Sequence, residues 1–141
     1  MRDEERMLLV YVAGPYSGPS VLTVLGNMGD GDRAARLVFQ AGFAPFCPWH
    51  DASYYMGMSR RERANLDVEF FQRQSMRFLE AADVVLLLDT WERSSGARAE
   101  KERAEELGIP CVVLSAHALA YGIVDWVRGT IKKAFAGRTL A

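Results

Sequence analysis

Short apolar runs alternate with longer stretches of helical periodicity along this chain. The apolar runs cover residues 8 to 13, 43 to 47, 84 to 89 and 110 to 114, and each is bordered by Gly, Pro or Asp. Three of them are apolar at nearly every position, which is typical of parallel strands buried on both faces. The pattern therefore predicts four strands separated by helices.

The segment between the first two runs carries the longest helical pattern. Its apolar stripe predicts a helix over residues 20 to 41 that ends at Gly42 and contains Val21, Leu25, Met28, Ala35 and Val38. Glycines at positions 26, 29 and 31 each weaken a helix by about 1 kcal/mol. We therefore expect this helix to begin late, near Asp32, after a flexible loop.

Three more helices are predicted further along the chain. One covers residues 60 to 81, one covers residues 96 to 107, and an amphipathic helix lies near the end of the chain. This last helix turns five apolar side chains inward: Leu119, Ile123, Trp126, Val127 and Ile131.

Strands that alternate with helices predict right-handed βαβ units and hence an α/β fold. We expect residues 1 to 141 to form a single domain, a three-layer Rossmann-like or flavodoxin-like sandwich. Its parallel sheet has about four strands in the order 2-1-3-4, with helices on both faces. The loops after the first three strands, residues 14 to 19, 48 to 58 and 89 to 96, then meet at the sheet edge where ligands bind.

Composition and charge narrow the possible partners. The net charge is −1, so no global field attracts a nucleic acid polymer or a membrane surface. No apolar stretch approaches the roughly 20 residues that span a bilayer, and the charged start lacks the apolar core of a signal peptide. We expect a cytoplasmic protein with buried, reduced Cys47 and Cys111. The chain has two histidines, and their spacing is not that of metal ligands, so we expect no metal site. We also expect no cofactor.

The most informative segment follows the third strand and reads Ser-Ser-Gly-Ala-Arg-Ala-Glu over residues 94 to 100. Ser94 and Ser95 can cap a helix, and the N–H groups at its start, including that of Gly96, can hold a phosphate. Helical side chains lean toward the helix start, so Glu100 can point into the crevice. A carboxylate beside a phosphate site suggests chemistry on a phosphorylated sugar. The alternative is that Glu100 is simply one more glutamate on a surface helix.

The loop after the first strand, Gly-Pro-Tyr-Ser-Gly-Pro, has two interpretations. It is either an ordinary turn or a rigid loop that offers Ser17 and backbone N–H groups to a sugar or phosphate, with Tyr16 as a wall. It matches neither the dinucleotide-binding glycine pattern nor a P-loop.

The two other loops carry weaker candidates. His50 and Asp51 form either a surface pair or a hydrogen-bonding pair for a base or sugar hydroxyl, and Trp49 can stack on a base. Asp89 either solvates the end of the third strand or faces the leaving base, and Trp91 follows it as a candidate for substrate contact.

Three segments resemble the nucleoside 2-deoxyribosyltransferase-like superfamily, which includes small deoxynucleotide N-hydrolases. They are Tyr-Val-Ala-Gly-Pro-Tyr over residues 11 to 16, Phe-Cys-Pro-Trp-His over residues 46 to 50, and residues 91 to 100 followed by Gly-Ile-Pro at 108 to 110. The resemblance implies that Glu100 is the nucleophile and that Ser94 helps to hold a 5′-phosphate. It also implies that Gly14 and Tyr16 line the sugar site.

One position departs from the pattern of that superfamily. Many members carry an Asp eight residues before the Asp that opens the third strand, and here Ser75 stands at that position among the catalytic candidates. The resemblance implies that Asp67, Asp51 or Asp89 replaces this acid, or that the activity is weak or different.

The predicted function is hydrolysis of the N-glycosidic bond of a 2′-deoxynucleoside 5′-monophosphate, which gives a free base and a sugar phosphate. The alternatives are a nucleoside 2-deoxyribosyltransferase that acts on unphosphorylated nucleosides and a non-catalytic nucleotide-binding protein. The expected partners are a small nucleotide or nucleoside and a second copy of the chain. Ser115, Tyr121 or Trp126 are candidates for the homodimer interface.

Overall fold

A computed structural model describes residues 6–16, 18–48, 54 and 56–140. Its sheet contains β1 (Leu9–Ala13), β2 (Ala44–Phe46), β3 (Val84–Leu87) and β4 (Cys111–Val113). The order is β2-β1-β3-β4, and every neighbouring pair is parallel. The predicted α/β class, strand number and strand order are therefore confirmed.

The helices that surround this sheet in the described residues are α1 (Val21–Gln40), α2 (Arg60–Arg63), α3 (Val68–Leu79), α4 (Ser95–Glu106), α5 (Ala116–Tyr121) and α6 (Val124–Leu140). A 3₁₀ turn over Trp91–Arg93 precedes α4. Buried side chains of α1, α5 and α6 pack on one sheet face, and those of α3 and α4 pack on the other. The three-layer arrangement with helices on both faces is confirmed.

The expectation that the first helix begins near Asp32 is wrong, because α1 begins at Val21. Ser20 caps it, accepting a 3.1 Å hydrogen bond from the N–H of Thr23. The second half of α1 packs into the core, and helix growth from such a packed segment is cooperative. Capping and propagation together offset the cost of the glycines.

Two predicted helices are each divided in the structure. The segment from residue 60 to 81 contains α2 and α3, because Ser59 and Asp67 each cap a new helix start. The last amphipathic segment contains α5 and α6, because Gly122 adopts a left-handed conformation with φ +63° that ends α5. Both predictions were wrong about helix length, because a local helix cap interrupts an apolar pattern that continues along the sequence.

Asp83 stabilises the edge of the sheet opposite the predicted ligand crevice. Its buried carboxylate accepts hydrogen bonds from the N–H of Leu9 at 2.8 Å and from Arg6 Nη2 at 2.6 Å. A carboxylate that joins the starts of β1 and β3 in this way has a structural role.

Other expectations concern cysteines, membranes and assembly. Cys47 and Cys111 form no disulfide within the described residues and pack on opposite faces of the sheet, where Cys47 is buried as expected and Cys111 is only half-buried. None of the helices in the described ranges combines the length and apolarity that crossing a bilayer requires.

The three candidates for a homodimer interface have different surroundings. Ser115 caps α5, Trp126 packs against the core, and Tyr121 is exposed. The homodimer stays a prediction.

Candidate active site

The start of α4 lies at the carboxyl end of β3. Ser94 caps this helix, and its Oγ accepts a 3.1 Å hydrogen bond from the N–H of Ala97. Within the part of the chain that the structure describes, the N–H groups of Ser95 and Gly96 have no acceptor. Two open donors and the positive end of the helix dipole make this a suitable place for an anion.

Glu100 lies on the side of α4 that faces the sheet. It shares a stripe at i, i+3 and i+7 with Ala97 and Ala104, which are both fully buried. These small side chains allow the helix to approach the strands closely. Glu100 Oε2 is a buried atom, so the carboxyl group points into the protein rather than into bulk solvent.

The other carboxyl oxygen borders the helix start. A Cβ atom added at Gly96 would lie 3.9 Å from Glu100 Oε1 and 3.7 Å from Ser94 Oγ. These two oxygens therefore border the same space, which exists because residue 96 has no side chain. The two oxygens of Glu100 differ: Oε1 borders this space and Oε2 is turned toward the core.

Tyr11, in the middle of β1, is the residue beneath Glu100. It is fully buried, and its hydroxyl interacts with the Glu100 carboxyl and with the Ser75 hydroxyl. Neither Tyr11 Oη nor Glu100 Oε2 makes a hydrogen bond of normal length and angle within the described residues. Buried polar atoms without such a bond are unusual in proteins and are found at catalytic sites.

Burial changes the acidity of both groups. It raises the pKa of Glu100 from the ordinary value of 4.5 to about 7, while the interaction with the Tyr11 hydroxyl acts in the lowering direction. Burial also raises the pKa of Tyr11, and the charge of Glu100 raises it further. Tyr11 thus stays protonated at neutral pH, whereas Glu100 is poised between its two forms.

The catalytic candidates other than Glu100 occupy different surroundings. Ser75 is half-buried on α3 and interacts with Tyr11, so it belongs to the cluster around Glu100. Asp67 caps α3, accepting a 2.8 Å hydrogen bond from the N–H of Phe70, which gives it a local structural task. Asp89 is exposed just after β3. Its role toward a leaving base stays a prediction.

Gly14 has a packing role that the sequence did not reveal. A Cβ atom there would lie 2.6 Å from Leu88 Cδ1, and Leu88 donates its N–H to the carbonyl of Ala13 at 2.8 Å. The glycine therefore allows the ends of β1 and β3 to come together. Tyr16, two residues later, is 46% exposed. Ser17, Trp49, His50 and Asp51 lie outside the described residues, so their contacts with substrate stay predictions.

Trp91 holds the 3₁₀ turn against α4. It is half-buried against the core on the Tyr11 side of the sheet, and Lys101 Nζ lies 5.3 Å from its ring centroid. Arg98 Nη1 also donates to the carbonyl of Glu92 at 2.9 Å. These contacts indicate that Trp91 fixes the start of α4, while its contact with substrate stays a prediction.

Two further observations on the described residues bear on the choice of site. Among the described residues, no group of three His, Cys, Asp or Glu side chains is arranged to hold a metal ion. A groove of about 460 Å³ lies on another part of the surface, beside β4, and it does not include Glu100. Its charged side chains are Lys101, Glu105 and Arg138.

Comparisons with known proteins agree with this architecture. Residues 53–113 match a family described as "Domain of unknown function (DUF4406)", which is a family of the superfamily identified above by resemblance. No curated protein sequence matches the chain. The solved structures include a 2-deoxyribosyltransferase from the psychrotolerant bacterium Bacillus psychrosaccharolyticus, with a TM-score of 0.53 and 15% identity over 74% of this chain and 70% of that one. The chain therefore has a nucleoside 2-deoxyribosyltransferase-like fold.

Proposed function

We propose that this protein cleaves the N-glycosidic bond of a 2′-deoxynucleoside 5′-monophosphate, with Glu100 as the nucleophile. One observation carries the proposal: Glu100 Oε1 and Ser94 Oγ border the same open space at the start of α4. A sugar phosphate whose phosphate binds at this helix start would bring its sugar close to both oxygens. The likeness of the fold to a 2-deoxyribosyltransferase supports chemistry at C1′ of a nucleoside.

In the proposed reaction, Glu100 Oε1 approaches C1′ while the bond from C1′ to the base nitrogen breaks. The electron pair of that bond leaves with the base, which takes up a proton from solvent, and the sugar passes through an oxocarbenium-like state. The new C1′–Oε1 bond gives a glycosyl ester. Water then attacks C1′ and gives up one proton to solvent, the ester bond breaks, and Glu100 regains its carboxylate. Oε2 is turned toward the core beside the Tyr11 hydroxyl, so Oε1 is the oxygen that faces the sugar.

The 5′-phosphate is assigned to the start of α4. The N–H groups of Ser95 and Gly96 are open donors, and Ser94 Oγ can donate its proton while it accepts from Ala97. Holding the phosphate there orients C1′ toward Glu100 and uses binding energy remote from the reacting bond. No step of this reaction requires a metal or an organic cofactor.

Transfer to a second base is the other candidate activity, because the protein of similar fold is a 2-deoxyribosyltransferase. The two activities share the glycosyl ester and differ only in whether water or a base attacks it. A phosphate requirement would favour the hydrolase, since the unphosphorylated nucleosides of the transferase have nothing to place at the α4 start.

A chromatographic assay of free base tests the proposal. We expect the purified protein to release base from 2′-deoxynucleoside 5′-monophosphates without an added acceptor, and to act weakly on the matching nucleosides. Reaction only with an acceptor base would identify a transferase instead. No reaction under either condition would contradict both activities. A melting temperature that still rises with nucleotide would then indicate a binding protein, since a ligand at 100 times its Kd stabilises by about 2.7 kcal/mol.

The substitution Gly96→Ala separates stability from activity at this site. The added methyl makes only ordinary contacts, at 3.7 and 3.9 Å, and replaces a helical glycine, so unfolding should cost up to about 1 kcal/mol more. The same methyl occupies the space between Ser94 Oγ and Glu100 Oε1, so we expect kcat/KM to fall by roughly 10²-fold. Thermal denaturation and the base-release assay measure the two effects.

Gly129→Ala is the matched control for this substitution. Gly129 lies in α6, and an added Cβ there meets nothing within 4 Å. It should stabilise by a similar amount and leave base release unchanged. Full activity in Gly96→Ala would show that the space over Gly96 is not where the sugar binds.

A further inference from the structure

One face of α3 continues from the buried core to the mouth of the proposed site. Phe71, Ser75 and Leu79 follow each other at i, i+4 and i+8, which places them on the same side of the helix. Leu79 is fully buried, whereas Ser75 and Phe71 are half-buried. Exposure therefore increases from the end of the helix toward its start.

The direction of α3 places Phe71 at the ligand edge of the sheet. Since α3 connects the carboxyl end of β2 to the amino end of β3, its first turns lie at the same edge as the start of α4. Ser75 already reaches the Tyr11 hydroxyl beneath Glu100. Phe71 precedes Ser75 by one turn, about 6 Å along the helix axis toward that edge.

α3 and α4 pack side by side on one sheet face, so their starts lie next to each other at the ligand edge. α4 contributes the polar groups: the Ser94 hydroxyl, the open N–H groups and the Glu100 carboxylate. α3 contributes the ring of Phe71, which Phe70 braces edge-on at a centroid distance of 5.6 Å. The base leaves C1′ on the side opposite Glu100. It therefore moves away from the polar groups of α4.

We infer that Phe71 is the surface on which the leaving base packs, so that it selects a planar heteroaromatic leaving group. This inference rests on the proposed function, because it takes Glu100 and the α4 start as the sugar phosphate site. It assigns the sugar phosphate to α4 and the base to α3. The two halves of the substrate are therefore recognised by different helices.

Isothermal titration of two ligands tests this division. The ligands are a 2′-deoxynucleoside 5′-monophosphate and 2-deoxyribose 5-phosphate, which lacks the base, and Glu100→Gln is the background that keeps the nucleotide intact. Phe71→Ala should weaken nucleotide binding by roughly 5- to 150-fold, the range for loss of one base–aromatic stack. It should leave the affinity for the sugar phosphate unchanged.

Two more variants keep the test decisive. Phe71→Leu preserves apolar bulk and helix packing but has no aromatic face, so it should fold normally and still lose affinity for the nucleotide alone. Phe39→Ala, at an exposed ring on α1 across the sheet from α3, should bind both ligands as the background does.

The inference would be overturned if the Phe71 variants lost affinity equally for both ligands, or if neither variant lost affinity for the nucleotide. It would also be overturned if the Glu100→Gln background bound neither ligand. Base release by the unaltered protein is measured separately. Its absence, combined with a selective loss of nucleotide binding, would refute the proposed reaction and leave the role of Phe71 standing.

Discussion

Replacing Glu100 by Gln is expected to reduce base release by at least about 10³-fold, since loss of a nucleophile in other hydrolases costs as much as about 10⁶-fold. The amide has nearly the same shape as the carboxyl group but cannot form the glycosyl ester. We expect the variant to fold normally, because Oε2 makes no normal hydrogen bond that would be lost. The base-release assay and thermal denaturation measure these two properties.

Glu102→Gln provides the control. Glu102 lies on the same helix, is exposed, and should tolerate the change without loss of activity. Should Glu100→Gln retain a substantial part of the activity, another group must attack C1′, and the proposed mechanism would be wrong.

The second large effect is a pH dependence that comes from the buried state of Glu100. Its pKa of about 7 means that the attacking carboxylate is lost as the pH falls through neutrality. We expect kcat/KM to drop about tenfold per pH unit below that pKa. Since the Tyr11 hydroxyl lowers the pKa of Glu100, Tyr11→Phe should move the acidic limb to higher pH. The exposed Tyr121, replaced by Phe, should leave it in place.

Stability should respond to pH in a matching way. The pKa of Glu100 is about 7 in the folded protein and near 4.5 when unfolded, so the folded state holds the proton more tightly. This stabilising contribution is complete below pH 4.5 and is lost as the pH rises through 7. The loss amounts to about 3 kcal/mol, since each pKa unit corresponds to about 1.36 kcal/mol.

Urea denaturation at several pH values measures this contribution. The free energy of unfolding of the unaltered protein should decrease relative to that of Glu100→Gln between about pH 4.5 and 7. A constant difference between the two proteins would show that the Glu100 carboxyl is solvated like an ordinary surface glutamate.

The strand order was predictable from sequence because largely apolar runs of five or six residues separated by helical patterns leave few topologies. Helix boundaries were harder to predict from the sequence. Adding up the helix penalties of the glycines leaves out the stabilisation by the Ser20 cap and the cooperative growth of the helix from the packed half of α1. The cap at Asp67 and the left-handed Gly122 each interrupt a stripe whose periodicity continues across the break.

The site was predictable where side-chain chemistry and helix geometry coincide, as at Ser94 and Glu100. Tyr11 was missed as a site residue because an aromatic ring in an apolar strand fits an ordinary core position. Its signal was a hydroxyl group in the middle of a strand buried on both faces, where a polar atom requires a partner. The proposed role of Phe71 could not be predicted, because it depends on the packing of α3 beside α4 and on the interaction of Ser75 with Tyr11.

Peptide mass spectrometry of the protein quenched during turnover tests the central claim most directly. The account predicts that a 2′-deoxynucleoside 5′-monophosphate leaves one sugar phosphate attached to the peptide that contains Glu100, and that Glu100→Gln carries none. A sugar phosphate bound to any other residue, or rapid base release through an enzyme that never carries the sugar, would contradict it.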